Sequence, residues 1–110
     1  MIRYALCKYY EPFVIGGPVW QFKRYEIDAD DVNLVNGFKG FIFKTGASWN
    51  VHELNTGGFI GSGKSIEEAV YSANCNINDT VDLDDQIKSL GDVSKFPIVK
   101  TEEALQRLRG

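Results

Sequence analysis

The chain has 110 residues, a formal charge of −3 and a hydrophobic content of 44%, with seven Phe, five Tyr and two Trp. That is one domain with enough apolar material for a core, and its mild acidity excludes a protein that binds polyanions through overall charge. Two cysteines, Cys7 and Cys75, exclude a secreted-type disulfide framework, and an opening segment interrupted by Arg3 and Lys8 reads as neither signal peptide nor membrane helix, so the expected location is the bacterial cytoplasm.

Residues 2–10 alternate Ile2, Tyr4 and Leu6 against Arg3, Ala5 and Cys7, the period of a half-buried strand. A loop is expected over 11–18, where Pro12, Gly16, Gly17 and Pro18 oppose regular structure while Phe13, Val14 and Ile15 are too apolar for full exposure. Strand character resumes over 19–27, but Trp20 and Phe22 have one parity and Tyr25 and Ile27 the other, which predicts a bulge near Lys23 and Arg24. The run Asp28-Ala29-Asp30-Asp31 should break that strand, with a single helical turn over 32–35 and a turn at Asn36-Gly37. Residues 38–45 form a third strand, with Phe41 and Phe43 on one face and Phe38, Gly40 and Ile42 on the other, a pattern suited to a central position.

The local signals agree best over 49–78. Trp49, Val51 and Glu53 fall on one strand face and Asn50, His52 and Leu54 on the other; Asn55-Thr56-Gly57-Gly58 supplies a tight turn. Ser65 then caps a helix, Glu68 completes a capping box, and Ile66, Ala69, Val70, Ala73 and Ile77 form an apolar stripe. Beyond it, Asp82 caps a short helix with Leu83, Ile87 and Leu90 on its face, Asp84 placed four residues before Lys88, and Gly91 at its end. Residues 96–99 suit an edge strand containing Pro97, and Thr101 caps a last short helix. The predicted fold is one α+β domain spanning 1–110: an antiparallel sheet of about four to five strands, one main helix on a face and two short C-terminal helices.

The chemistry-bearing patterns are few. Gly58-Phe59-Ile60-Gly61-Ser62-Gly63-Lys64-Ser65 satisfies the phosphate-loop spacing G-x-x-x-x-G-K-S. Its context opposes that reading, because the preceding strand is half polar and no apolar strand ending in Asp follows to hold magnesium. His52 and Glu53 are neighbours on a strand and point to opposite faces, so they do not form an acid–base pair. A dyad of His52 with Cys7 or Cys75 lacks an orienting group, and one His with two distant Cys gives no zinc set. No catalytic residue, cofactor or metal is therefore expected.

Two surfaces remain. Lys8, Lys23, Arg24, Lys39 and Lys44 interleave with Tyr9, Phe22, Tyr25, Phe38 and Phe41, the style of a single-strand nucleic-acid sheet, though any one-sided sheet shows it. Asp79, Asp82, Asp84 and Asp85 form an acidic stretch that Glu67 and Glu68 would join if the two helices lay side by side. Residues 65–110 carry nine Asp/Glu against five Lys/Arg, whereas 1–64 carry six against seven. Such carboxylates suit a basic groove on a nucleic-acid-handling protein, steering association in a salt-dependent way. An exposed sheet edge could also pair two copies of the chain.

Trp49 and Val51, followed by Gly57-Gly58 and then Gly63-Lys64-Ser65-Ile66-Glu67-Glu68-Ala69, resemble the hairpin and helix of HicB-type antitoxins, whose pattern runs aromatic-x-V, P-G and G-D-T-x-E-E-A. The resemblance covers 49–78 only; Asn55-Thr56 stands where the family has D-L-P, and no helix-turn-helix follows. It implies a small toxin as partner, and DNA as a further one. The same hairpin and helix are similar to those of small phage and mobile-element proteins. That implies an inhibitor of a host defence complex, of the anti-CRISPR kind, acting by stoichiometric protein binding; a small-ligand binder is the further alternative.

Overall fold

A computed structural model describes residues 1–11, 16, 19–80 and 82–100, with side chains undescribed at 8–11 and 19–21. The expected C-terminal helix and the apolar loop residues Phe13, Val14 and Ile15 lie outside the described residues. In chain order the elements are β1 (Ile2–Glu11), β2 (Val19–Asp28), β3 (Asp30–Asn33), a 3₁₀ turn (Val35–Gly37), β4 (Lys39–Thr45), β5 (Ser48–Glu53), β6 (Phe59–Gly63), α1 (Ile66–Asp79), α2 (Leu83–Ser89), a second 3₁₀ turn (Val93–Lys95) and β7 (Ile98–Val99).

The α+β class holds, but the strands form two sheets rather than one: β1-β2-β7 and β3-β4-β5-β6. The break lies at Ala29 alone, which is buried, while Asp30 and Asp31 already belong to β3. The helical turn expected over 32–35 is displaced to Val35–Gly37, because Val32 and Asn33 pair with Gly40 and Lys39. In β4, Ile42 packs toward α1 while Phe41 and Phe43 pack with Ala5, Tyr25 and Ile27 of the other sheet. The four-stranded sheet is thus covered on both faces, which explains the double-sided apolar pattern of β4.

On the α1 side, Ser65 Oγ accepts from Glu68 N at 3.1 Å. Glu68 reaches back one residue further than a standard capping box, accepting from Lys64 N at 2.9 Å. Ala69, Ala73 and Ile77 are buried against Leu34, Ile42, Val51 and Ile60, whereas Ile66, expected on the same stripe, is exposed. A Cβ on Gly61 would lie 2.5 Å from Ala73 N, and one on Gly63 2.6 Å from Ala69 N. Those glycines let the helix backbone rest directly on β6, and Asn76 Nδ2 donates to Ile60 O at 2.6 Å.

β1 and β2 pair without interruption from Ile2↔Asp28 to Glu11↔Val19, so the bulge expected at Lys23 and Arg24 is absent. The mixed parity has another cause: Tyr25 and Ile27 face the inter-sheet core, while Phe22 meets Phe96 on the other side, ring centres 5.6 Å apart. The edge strand expected at 96–99 is present as β7 and runs parallel to β2. Arg24 secures it by donating to Phe96 O and Ser94 O, each at 3.0 Å. Arg3 joins the two sheets, with Nε and Nη2 donating to Asp31 carboxylate oxygens at 2.8 and 2.6 Å.

Candidate functional site

The turn after β5 builds the site. Glu53 is buried and its carboxylate accepts from Asn55 N at 3.0 Å, Thr56 N at 2.6 Å and Thr56 Oγ1 at 2.7 Å. This folds the chain back so that Gly57, at φ +76°, sits against β1; its carbonyl accepts from Leu6 N at 2.8 Å. A Cβ there would lie 2.2 Å from Tyr4 O, so the position requires glycine on both counts. The same carbonyl lies 2.7 Å from Nδ1 of His52. Since a carbonyl only accepts, Nδ1 carries the proton and Nε2 is left with its lone pair.

A register shift between β5 and β6 sets the other wall. Val51 pairs with Gly61 but His52 pairs with Phe59, so Ile60 is the extra residue. Ile60 joins Gly61 on the α1 side, and Phe59 is turned onto the His52 side, where its ring stands edge-on at 5.5 Å. Phe43 and Phe41 lie 5.2 and 5.7 Å from the imidazole. Burial among these rings disfavours the imidazolium and pushes the His52 pKa down to about 4 despite the Gly57 bond.

Beside His52 opens a cleft of about 560 Å³. Leu6, Cys7 and Phe22 supply its three-stranded-sheet side, Phe43 and Phe59 its aromatic wall, and Leu83 and Ile87 of α2, with Leu90 just beyond that helix, the remaining side. The apolar face expected on α2 is therefore real, but it borders a cleft and none of its residues is buried. No charged side chain lines the cleft among the described residues. Burial also pushes the Cys7 thiol up to about 11, so it stays protonated near neutrality. Cys75 lies on α1, across the four-stranded sheet from the His52 ring, which removes that dyad.

The other sequence candidates disperse. Asp79, Asp82, Asp84, Asp85, Glu67 and Glu68 are all exposed. Glu67 and Glu68 open α1 while Asp79 closes it, about 18 Å away at 1.5 Å per residue, so the six carboxylates do not form one face. Asp84 pairs with Lys88 at 2.8 Å, as its spacing implies. Asp82 stands at the N-cap of α2 without capping it; its Oδ1 accepts from Gln86 Nε2 at 3.0 Å. Phe41 and Tyr25 are buried, which removes both from the base-stacking surface. Residues 59–63 are strand β6 rather than a loop, so the phosphate-loop spacing does not wrap an anion. Gly61 and Gly63 serve helix packing instead.

Among the described residues no three His, Cys, Asp or Glu side chains come together to hold a metal ion, and no helix is long and apolar enough to cross a membrane. No protein-family model matches this chain, and no curated protein or solved structure is significantly similar to it.

Proposed function

We propose that this protein is a non-enzymatic binding module whose cleft beside His52 takes up a small, largely apolar molecule. The carrying observation is a cleft of about 560 Å³ beside His52, with aromatic and aliphatic walls and no charged lining among the described residues. Ligand sites commonly have this size and character. Binding is favoured over catalysis because the two titratable groups at the cleft are poor reagents near neutral pH. His52, at about 4, is a weak base, and Cys7, at about 11, holds little thiolate. A thermal-shift screen with uncharged aromatic and aliphatic compounds tests the reading. A ligand at a hundred times its Kd should stabilise the fold by about 2.7 kcal/mol, a shift of several degrees; a screen in which no such compound raises Tm refutes it.

A second reading is stoichiometric binding of a basic partner, a nucleic-acid-handling host complex or a small toxin, through Asp79, Asp82, Asp84 and Asp85. The observation favouring it is that all four stay exposed at the junction of α1 and α2, with Lys88 pairing only Asp84. Replacing Asp79, Asp82 and Asp85 by Asn should weaken such a complex and flatten its salt dependence. Unchanged affinity removes this surface.

A further inference from the structure

Resting on the cleft-binding reading above, we propose that the cleft selects an uncharged, flat aromatic molecule carrying a hydrogen-bond donor, of the indole or phenol type, and that Nε2 of His52 accepts from it.

The direction of that bond follows from the turn. Gly57 O fixes the proton on Nδ1, so a neutral imidazole presents an acceptor at Nε2. No described buried side-chain nitrogen or oxygen lacks a partner, and His52 lines the cleft, so Nε2 opens onto it instead of being sealed in the core. Asn50 and Gln86 also line the wall, with their amide nitrogens engaged. Asn50 Nδ2 donates to Thr45 Oγ1 at 2.8 Å, and Gln86 Nε2 donates to Asp82. Among the acceptors at the wall, Nε2 is the one carried by the ring that Phe43 and Phe59 flank.

Shape and charge follow from the walls. The His52 and Phe43 rings line the cleft as an aromatic shelf, 5.2 Å apart with their planes tilted by 34°, while Phe41, fully buried and not at the wall, packs on the imidazole at 18°. Phe59 stands edge-on to that shelf and is 56% exposed, which places it at the mouth. A flat ring stacks on such a shelf and meets an edge from Phe59. A carboxylate or ammonium would lose hydration and find no counter-charge among the described lining residues. Facing the shelf, Leu83, Ile87 and Leu90 present an apolar face that is still partly open. An apolar ligand there would complete the burial that the fold leaves unfinished.

Isothermal titration of the full chain at neutral pH with indole, 1-methylindole and indole-3-carboxylate tests the inference. Indole is expected to bind about tenfold more tightly than 1-methylindole, the worth of one neutral hydrogen bond. Indole-3-carboxylate retains the N–H and should bind more weakly than either neutral compound. Equal affinities for indole and 1-methylindole, or preference for the carboxylate, overturn the selection while leaving the cleft as a site. Failure of all three at millimolar concentration overturns the cleft reading itself. His52→Asn keeps a donor for Gly57 O and deletes Nε2; it should bring indole down to the affinity of 1-methylindole. An undiminished indole preference in that variant assigns the donor to another acceptor and overturns the role of His52. Should the variant fail to fold, the three-ligand comparison on the unaltered chain decides.

Discussion

The four-stranded sheet has two faces that the chain treats differently. On one, α1 lies so close that Gly61 and Gly63 have no room for a Cβ, and Leu34, Ile42, Val51, Ile60, Ala69, Ala73 and Ile77 close the space. On the other, the three-stranded sheet fills the region around Phe41, Tyr25 and Ile27 but leaves a cleft beside His52 that α2 only borders. One face is built for stability and the other retains room. The helices differ as well: α1 buries its stripe, whereas α2, of seven residues, has no fully buried side chain and only Leu83 packing against the α1-side cluster.

The largest expected effect breaks the filled face. Ile77→Ala should cost about 2–5 kcal/mol in urea unfolding, since a buried α1 side chain is removed without room to collapse. A cost below 1 kcal/mol would show that the α1 face is loosely packed and dissolve the contrast.

Acid should act on the other face. Above pH 6.5 His52 is neutral in both the folded and unfolded chain, so its contribution is complete. Between 6.5 and its folded value of about 4, the unfolded chain takes the proton first, and stability falls as pH falls. The loss is about 3 kcal/mol, ending once the folded state also protonates. His52→Asn should lack this limb when unfolding is followed from pH 7 to 4; an identical profile would contradict the buried, neutral imidazole.

Smaller again is Gly61→Ala, expected to cost about 1–3 kcal/mol because the new methyl meets the backbone of Ala73. A neutral or stabilising result would mean that α1 can step away from β6. The smallest stability effect belongs to Ile87→Ala on α2, under about 1 kcal/mol for a partly exposed residue, yet it should weaken ligand binding severalfold. A large loss of stability there would make α2 part of the core and the cleft an incidental gap.

Much of this contrast was legible in sequence on the filled face and little on the open one. Ser65, Ala69, Ala73 and Ile77 announce α1 because capping and a 3.6-residue stripe are local signals. The glycines of β6 imitate a phosphate loop in sequence; only the approach of α1 reveals their purpose. Phe22 and Tyr25 suggested a bulge because alternation assumes one buried face, and β2 has partners on both. The real bulge at Ile60 left no residue signature, yet it places Phe59 beside His52. His52 stood out as the single histidine, but its partner proved to be a backbone carbonyl, and its cleft draws on residues from Leu6 in β1 to Leu90, just past the end of α2. Such a site depends on tertiary packing, for which periodicity carries no information.

The most direct test of the central claim is a ¹H–¹⁵N NMR titration of the labelled chain with indole. Shifts should be confined to His52, the turn at Gly57 and Gly58, Phe59, Leu83 and Ile87 of α2 and Leu90 just after it, with the Ala69, Ala73 and Ile77 amides of α1 unmoved. Shifts centred on α1, or none at saturating indole, would contradict it.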